Sequence, residues 1–191
     1  DVCESHGCKD LMGRKCGPHN VGGTFSFYFG HHMTTVEGGM VSTNDPELYD
    51  IMRMKRSHGL ARESPKYEEY AKQNPDIIPS FLFMTDGYNF RNNDIGAVLG
   101  LSQLKRLDEM IHTRNENYQM WYEVMMDYMD KFYVPDDSWI ENMSSFAFPF
   151  ISHNKETHNK LIEGFEEVGI EYRPVVSGNL LKQPFLMEFR M

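Results

Sequence analysis

Hydrophobic and polar positions alternate along Thr24-Phe25-Ser26-Phe27-Tyr28-Phe29 with the period of two that marks a strand. Gly38-Gly39-Met40-Val41-Ser42-Thr43 predicts a second short strand. Asn44 or Asp45 can then cap a helix with Pro46 in its first turn and Leu48, Ile51 and Met52 on one face. Residues 57–80 hold Gly59, Pro65, Pro75 and Pro79 and predict loop with one short helix. From Asn92-Asn93-Asp94, the positions Ile95, Val98, Leu99, Leu101, Leu104, Leu107 and Ile111 keep helical spacing, and the pattern runs on towards Met129. After Pro135 the pattern predicts a strand at 145–152, a helix at Lys155–Val168 ending at Gly169, and a strand at Ile170–Val176, together a β-α-β unit. The expected organisation is therefore residues 1–134 as part of a large domain with a long bridging helix, and 135–191 as the start of a smaller one.

Composition narrows the class. With 40% apolar and 13% aromatic residues over 191 positions, the chain can build a packed core. A formal charge of −9 argues against a nucleic-acid partner, which needs a basic surface. No stretch reads as a membrane span, the most apolar run lying near Phe146 to Ile151. No charged-then-apolar leader precedes Asp1, so three cysteines read as reduced thiols of a cytoplasmic protein. The chain opens on Asp1-Val2-Cys3 without methionine and stops at Phe189-Arg190-Met191, as an excised piece of a longer protein would.

Two clusters carry candidate chemistry. Cys3, His6, Cys8, Cys16 and His19 are metal-ligand types within the turn-rich first 23 residues, which also hold Gly7, Gly13 and Gly17-Pro18. Their spacing is irregular and no second Cys-x-x-Cys arm would close a tetrahedron, so no metal is expected. The second cluster is Ser26 to Gly39. A strand delivers His31, His32, Thr34 and Thr35 into a turn closed by Gly38-Gly39, and imidazole is the side chain best suited to moving a proton near neutral pH.

That second segment resembles the active-site stretch of the DegT/StrS-type sugar aminotransferases, which bind pyridoxal phosphate on the α/β type I aminotransferase fold. The family motif runs Ser-Phe, three variable residues, Lys-Asn, an aliphatic residue, then Thr-Thr-Gly-Glu-Gly-Gly. On this chain the resemblance puts Ser26 on the phosphate and Glu37-Gly38-Gly39 on the closing turn. It also puts His31 where the cofactor-binding lysine stands, while Val36 replaces the motif's glycine. Asp1-Val2-Cys3-Glu4-Ser5-His6-Gly7 is similar to the segment whose aspartate pairs with the pyridine nitrogen, with Glu4 near the ring. Gly87-Tyr88-Asn89-Phe90-Arg91 is similar to the segment whose asparagine reaches the phosphate of the neighbouring subunit. Arg173-Pro174 and Ser177-Gly178-Asn179-Leu180-Leu181-Lys182-Gln183-Pro184 resemble a sugar-side segment.

The histidine changes the expected reaction. Lysine forms an imine with the cofactor; imidazole cannot, yet it can still act as a base. The resemblance thus points to the 3-dehydratase branch, which deoxygenates nucleotide-linked 4-keto-6-deoxyhexoses in deoxysugar and O-antigen biosynthesis. Members of the branch use pyridoxamine phosphate, and glutamate can restore its amine. Residues 54–64 contain no cysteine, so the iron–sulfur cluster of some members is not expected, which favours the cluster-free type acting on GDP-4-keto-6-deoxymannose. His31 is the expected base, with Asp1, Glu4, Ser26, His32 and Asn89 around the cofactor, Arg173 and Asn179 at the sugar, and a homodimer through Asn89. Two rivals are an ordinary sugar aminotransferase served by Lys9, Lys15, Lys55 or Lys66, and an inactive paralogue. The piece on its own is expected to bind cofactor poorly.

Overall fold

The computed structural model describes residues 1–17, 19, 21–136, 138–175 and 178–187. Pro18, Val176, Ser177 and Phe189-Arg190-Met191, named above, lie outside them. Two compact units divide the chain. One comprises Asp1–Asn117 with Trp139–Phe146, the other Tyr118–Ser138 with the chain from Ala147 onward.

The first unit is built on an antiparallel hairpin, β1 (Gly23–Ser26) against β2 (Gly39–Ser42), with Gly23 opposite Ser42 and Ser26 opposite Gly39. Both strands are shorter than the alternation predicts. Beyond Ser26 the chain leaves the ladder to form the loop at 27–38, whose base is closed by Phe27 N–H donating to Gly38 O (2.9 Å) and Thr35 N–H donating to Phe27 O (2.9 Å). Helix α1 (Pro46–Arg56) starts as read: Asp45 Oδ1 accepts from the N–H groups of Glu47 (2.8 Å) and Leu48 (3.1 Å). Its buried positions are Asp50 and Met54, not the predicted face of Leu48, Ile51 and Met52, since Ile51 is 45% exposed. Asp50 tolerates burial because Tyr70 Oη donates to it at 3.3 Å and Lys66 pairs with it at 3.9 Å. Tyr70 sits on α2 (Tyr67–Gln73), the one short α-helix of the proline-rich stretch.

The expected long helix is two helices, α3 (Asp94–Leu104) and α4 (Leu107–Met126). At the break Arg106 N–H bonds Gln103 O (3.0 Å), a tighter i→i−3 turn. Such a turn keeps Leu101, Leu104, Leu107 and Ile111 in helical phase, so hydrophobic spacing could not reveal it. Helix α3 is apolar all round, the signature of a helix meant to be covered, yet Ile95 (75%), Val98 (67%) and Leu101 (64%) are exposed.

In the second unit aromatic rings form the core. Tyr118 and Phe148 lie 4.7 Å apart, Phe132 meets Phe150 at 5.4 Å, and Trp121 packs on Phe148 and Phe165. The predicted β-α-β unit does not form among the described residues. Instead β3 (Phe132–Tyr133), which the sequence did not signal, pairs antiparallel with β4 (Ile151–Ser152). Of the strand expected at 145–152, only these last two positions enter a ladder, since Pro149 has no N–H to give one. Helix α5 (Lys155–Val168) matches its reading residue for residue. Asn154 Oδ1 accepts from Thr157 N–H (2.9 Å), and Gly169 closes the helix at φ 73 while Ile170 N–H bonds Phe165 O (2.9 Å). The strand expected at Ile170–Val176 is irregular over 170–175. Tyr172 Oη there donates back to Glu166 on α5 (2.7 Å), and Pro174 lacks a donor. A 3-10 turn (Leu180–Lys182) and α6 (Pro184–Met187) follow. No helix among the described residues is long and apolar enough to cross a membrane.

Candidate active site

Asp1, Ser26, His31 and His32 come from the two segments that the first unit brings side by side: Val2 N–H donates to Thr24 O (2.9 Å), fastening residues 1–7 along β1. Asp1 Oδ1 accepts from Cys3 N–H (3.0 Å) and from the Thr24 hydroxyl (3.2 Å), so one carboxylate oxygen fixes the side chain and the other stays open. The Ser26 oxygen accepts from Tyr28 N–H (3.2 Å), which leaves its hydroxyl proton to donate elsewhere.

His31 leaves the end of this strand half-buried. Its Nδ1 lies 3.3 Å from Ser26 O. A carbonyl only accepts, so Nδ1 carries the proton and Nε2 presents a lone pair. The ring is wedged edge-on between Tyr28 (centroids 5.8 Å) and Phe146 (5.7 Å). Phe146 is in turn held by α4: Arg114 Nη1 donates to its carbonyl (3.1 Å), and the guanidinium lies 5.9 Å from its ring. Asn115 takes the chain on either side, accepting from Ser145 N–H (2.9 Å) and donating to Met143 O (2.8 Å). These bonds do for residues 143–146 what a strand partner would have done.

Behind His31, His32 is fully buried and stacked on His6, with ring centroids 5.6 Å apart. His6 packs edge-on against Phe25 and Phe27, and its carbonyl accepts from the Ser144 hydroxyl. Burial drives the His32 pKa down to about 4, helped by the charges of Arg114, His6 and His31, while the Ser145 backbone opposes. Burial and then the His31 charge lower His6 as well. Both rings are therefore neutral at pH 7 and sealed in the core, whereas His31, the third ring of this group, is only half-buried. The role near the cofactor ring expected of His32 gains nothing from this placement.

The remaining expected site residues have local partners. Glu4 is exposed. Asn89 lies opposite Ser57 in an isolated bridge and its Oδ1 accepts from Arg91 Nε (3.0 Å). In the second unit Arg173 pairs with Glu171 (3.1 Å), and Asn179 caps the 3-10 turn by accepting from Leu181 N–H (3.0 Å). Sequence reasoning missed His6, Arg114 and Phe146 as supports of His31. For His6 a signal existed, its place in the Asp1–Gly7 motif. Among the described residues no group of three or more His, Cys, Asp or Glu converges as a metal site.

The loop also explains the glycine that the motif has at position 36. Val36 sits at φ 73, in the left-handed region where a β-branched residue is strained, and it is 64% exposed with little packing to offset that cost. Its N–H bonds the Thr34 hydroxyl (2.9 Å), which fixes the turn. Val36→Gly is expected to raise unfolding stability by about 1 kcal/mol, read as a higher urea midpoint at unchanged slope. A lower midpoint would mean that the backbone does not adopt this conformation.

The donor set fits a phosphorylated pyridine: a carboxylate with a free oxygen for a protonated ring nitrogen, a hydroxyl with a free proton for phosphate, and an imidazole with a free lone pair. Comparison with known proteins agrees. The model of the DegT/DnrJ/EryC1/StrS aminotransferase family matches residues 1–188. A GDP-4-keto-6-deoxy-D-mannose 3-dehydratase of Yersinia pseudotuberculosis is 36% identical over 99% of this chain and 48% of its own length. A UDP-4-amino-4,6-dideoxy-N-acetyl-beta-L-altrosamine transaminase of Helicobacter pylori is 31% identical over 92% of the chain and 45% of its own length. The solved structure of an E. coli GDP-4-keto-6-deoxy-D-mannose-3-dehydratase with bound hydrated PLP superposes with a TM-score of 0.85 at 31% identity, over 99% of this chain and 49% of that one. The chain spans about half the length of the curated relatives it matches.

Proposed function

The chain belongs to the DegT/DnrJ/EryC1/StrS aminotransferase family and has the fold of its solved members, and from that premise we propose that it carries the base of a pyridoxal phosphate-dependent sugar 3-dehydratase. The observation that carries this reading is His31: an imidazole with Nδ1 committed to Ser26 O and Nε2 free, at the position where the motif resemblance sets the family's lysine. The substrate class is a nucleotide-linked 4-keto-6-deoxyhexose, with GDP-4-keto-6-deoxymannose as first choice.

In this reading the cofactor, bound as its amine, supplies an electron sink that makes a neighbouring C–H bond acidic. Asp1 keeps the proton on the ring nitrogen through its free oxygen, and Ser26 donates its hydroxyl proton to the phosphate. His31 Nε2 takes the acidic proton, while the Nδ1 bond to Ser26 O fixes the ring plane and holds the imidazolium. The proton held on His31 would then be available to the C3 hydroxyl of the sugar, which would leave as water. The two electrons would come from the cofactor's amine form, so a deoxygenated sugar would result in place of an amino sugar and the amine would have to be restored. Glutamate is the proposed amine donor. Glu4 keeps a lesser role near the cofactor, His32 acts only as the buried ring packed on His6 behind His31, and Arg173 and Asn179 would meet the sugar.

A homodimer completes the reading. Tyr88 and Phe90 stack face to face (4.9 Å) yet are 56% and 70% exposed on either side of Asn89, and α3 adds its own open apolar surface. A second copy covering this surface would turn Asn89 towards its cofactor phosphate. The unpaired thiols Cys3, Cys8 and Cys16 suit a cytoplasmic enzyme.

The aminotransferase reading needs a lysine at the site. Lys55 is bound to Asp86 (2.5 Å), Lys66 pairs with Asp50, and Lys15 lies 4.0 Å from Asp108. Lys9 donates its N–H to Asn142 O, within the hairpin of residues 8–16. None stands in for His31. To test the proposal, protein expressed from the complete reading frame is given pyridoxal phosphate, glutamate and GDP-4-keto-6-deoxymannose, and the sugar product is weighed. Loss of the C3 oxygen is expected; a sugar carrying a new amine would establish an aminotransferase.

A further inference from the structure

Three cysteines lie in the first 16 residues, and the proposed reaction uses none of them. Two of the three face each other. Lys9 pairs antiparallel with Lys15, Asp10 N–H donates to Arg14 O (2.9 Å), and Cys16 N–H donates to Cys8 O (2.8 Å). This register places Cys8 directly opposite Cys16, one step from the Lys9–Lys15 pair. Opposed residues of such a ladder share a face, and at a hydrogen-bonded rung their Cα atoms stand about 5.5 Å apart. That lies inside the range of about 4.4–6.8 Å that a disulfide spans.

We propose that Cys8 and Cys16 form a reversible thiol-oxidation site that closes as an intrachain disulfide under a disulfide oxidant of the glutathione type. The hairpin is built in advance for that closure. Asp10 Oδ1 accepts from the N–H groups of Met12 and Arg14 (both 2.9 Å), and its Oδ2 takes Arg14 Nε (2.8 Å), so the turn between the cysteines is held whether or not the sulfurs are joined. Lys9 N–H donates to Asn142 O (2.7 Å), which anchors one arm. Both thiols are half-buried, which leaves them open to a small oxidant. Cys3 is placed differently, with its sulfur 3.8 Å from Thr24 O. A hydrogen bond with the Cys8 side chain, then burial, raises the Cys16 pKa, so the pair interacts through its sulfurs already in the reduced state and its oxidation speeds up as pH rises.

The step balances as thiol–disulfide exchange. One cysteine sulfur, as thiolate, attacks a sulfur of oxidised glutathione and expels one glutathione thiolate. The second cysteine sulfur then attacks the resulting mixed disulfide and expels the other. Two protein thiols are oxidised to one disulfide, one glutathione disulfide is reduced to two thiols, and the two protons pass to the leaving thiolates. The bond would staple the Asp1–Gly7 segment to the segment that leads into β1. This inference stands independently of the dehydratase reading.

The test incubates the reduced protein in oxidised glutathione, alkylates the remaining thiols and maps peptides by mass. Expected are one alkylated cysteine, Cys3, and a Cys8–Cys16 cross-linked pair lighter by two hydrogens, reversed by dithiothreitol. Cys3→Ser should leave the cross-link in place, whereas Cys8→Ser and Cys16→Ser should each abolish it. Three alkylated cysteines after oxidation, or a cross-link through Cys3 or between chains, overturns the proposal.

Discussion

His31→Asn is expected to lower deoxygenation of the nucleotide sugar by about 10²–10⁴-fold, the span of a positioned general base, while the protein still folds and still takes up pyridoxal phosphate. The side chain of asparagine is polar and fits between Tyr28 and Phe146, the rings that now flank His31 edge-on. What it lacks is a basic nitrogen where Nε2 stood. In the proposed reading cofactor uptake rests on the Asp1 carboxylate and the Ser26 hydroxyl, and the His31 ring bonds neither of these groups, its Nδ1 going to the Ser26 backbone carbonyl. The loss should therefore appear in kcat and not in cofactor affinity. A companion variant separates position from chemistry. His31→Lys puts an amine at the same point, so after borohydride reduction the cofactor should stay on the chain through denaturation, whereas the wild type releases it. A His31→Asn protein as active as the wild type, or a lysine variant that releases its cofactor, would remove His31 from the proposed role.

How much of this was legible in the sequence depended on how far each decision reached along the chain. Helices α1 and α5 were readable because their signals are local: Asp45 and Asn154 cap them within three residues, and Gly169 ends α5 in the left-handed conformation. The Ser26–Gly39 segment was readable for the same reason, since strand, histidines and closing turn are contiguous. The break between α3 and α4 was not, because an i→i−3 turn leaves hydrophobic phase intact. Nor was the fate of residues 145–150, the part of the strand expected at 145–152 that enters no ladder. Their alternation looks like a strand, but α4 side chains, Arg114 and Asn115, claim the backbone first. The support of His31 is non-local in the same sense: Phe146 is 115 positions away and Arg114 is 83. Val36 shows the reverse case. The motif comparison marked it as unusual, and only the backbone angle shows what the change costs.

His32 gives the second large effect, on stability and not on turnover. A histidine ionises near pH 6.5 in an unfolded chain, while burial holds folded His32 at about 4. Above pH 6.5 the ring is neutral in both states and the site is indifferent to pH. As pH falls through 6.5 the unfolded chain takes a proton that the folded one refuses, so stability drops until the folded ring also titrates near 4. By pH 5 that difference amounts to about 2 kcal/mol, and it approaches about 3 kcal/mol below pH 4. His6 is lowered too and pulls in the same direction, so the slope belongs to His32 only if its removal changes it. His32→Gln, similar in volume and without a titrating group, keeps the His6 contribution and should flatten the loss between about pH 7.5 and pH 5 by roughly that 2 kcal/mol. Urea unfolding of both proteins at the two pH values measures it. Staying above pH 5 keeps the carboxylates of Asp10 and Asp86, held low by Arg14 and Lys55, out of the comparison. Equal losses in the two proteins would mean that His32 is not the buried neutral ring on which His6 stacks, and the wall behind His31 would have to be rebuilt from other residues.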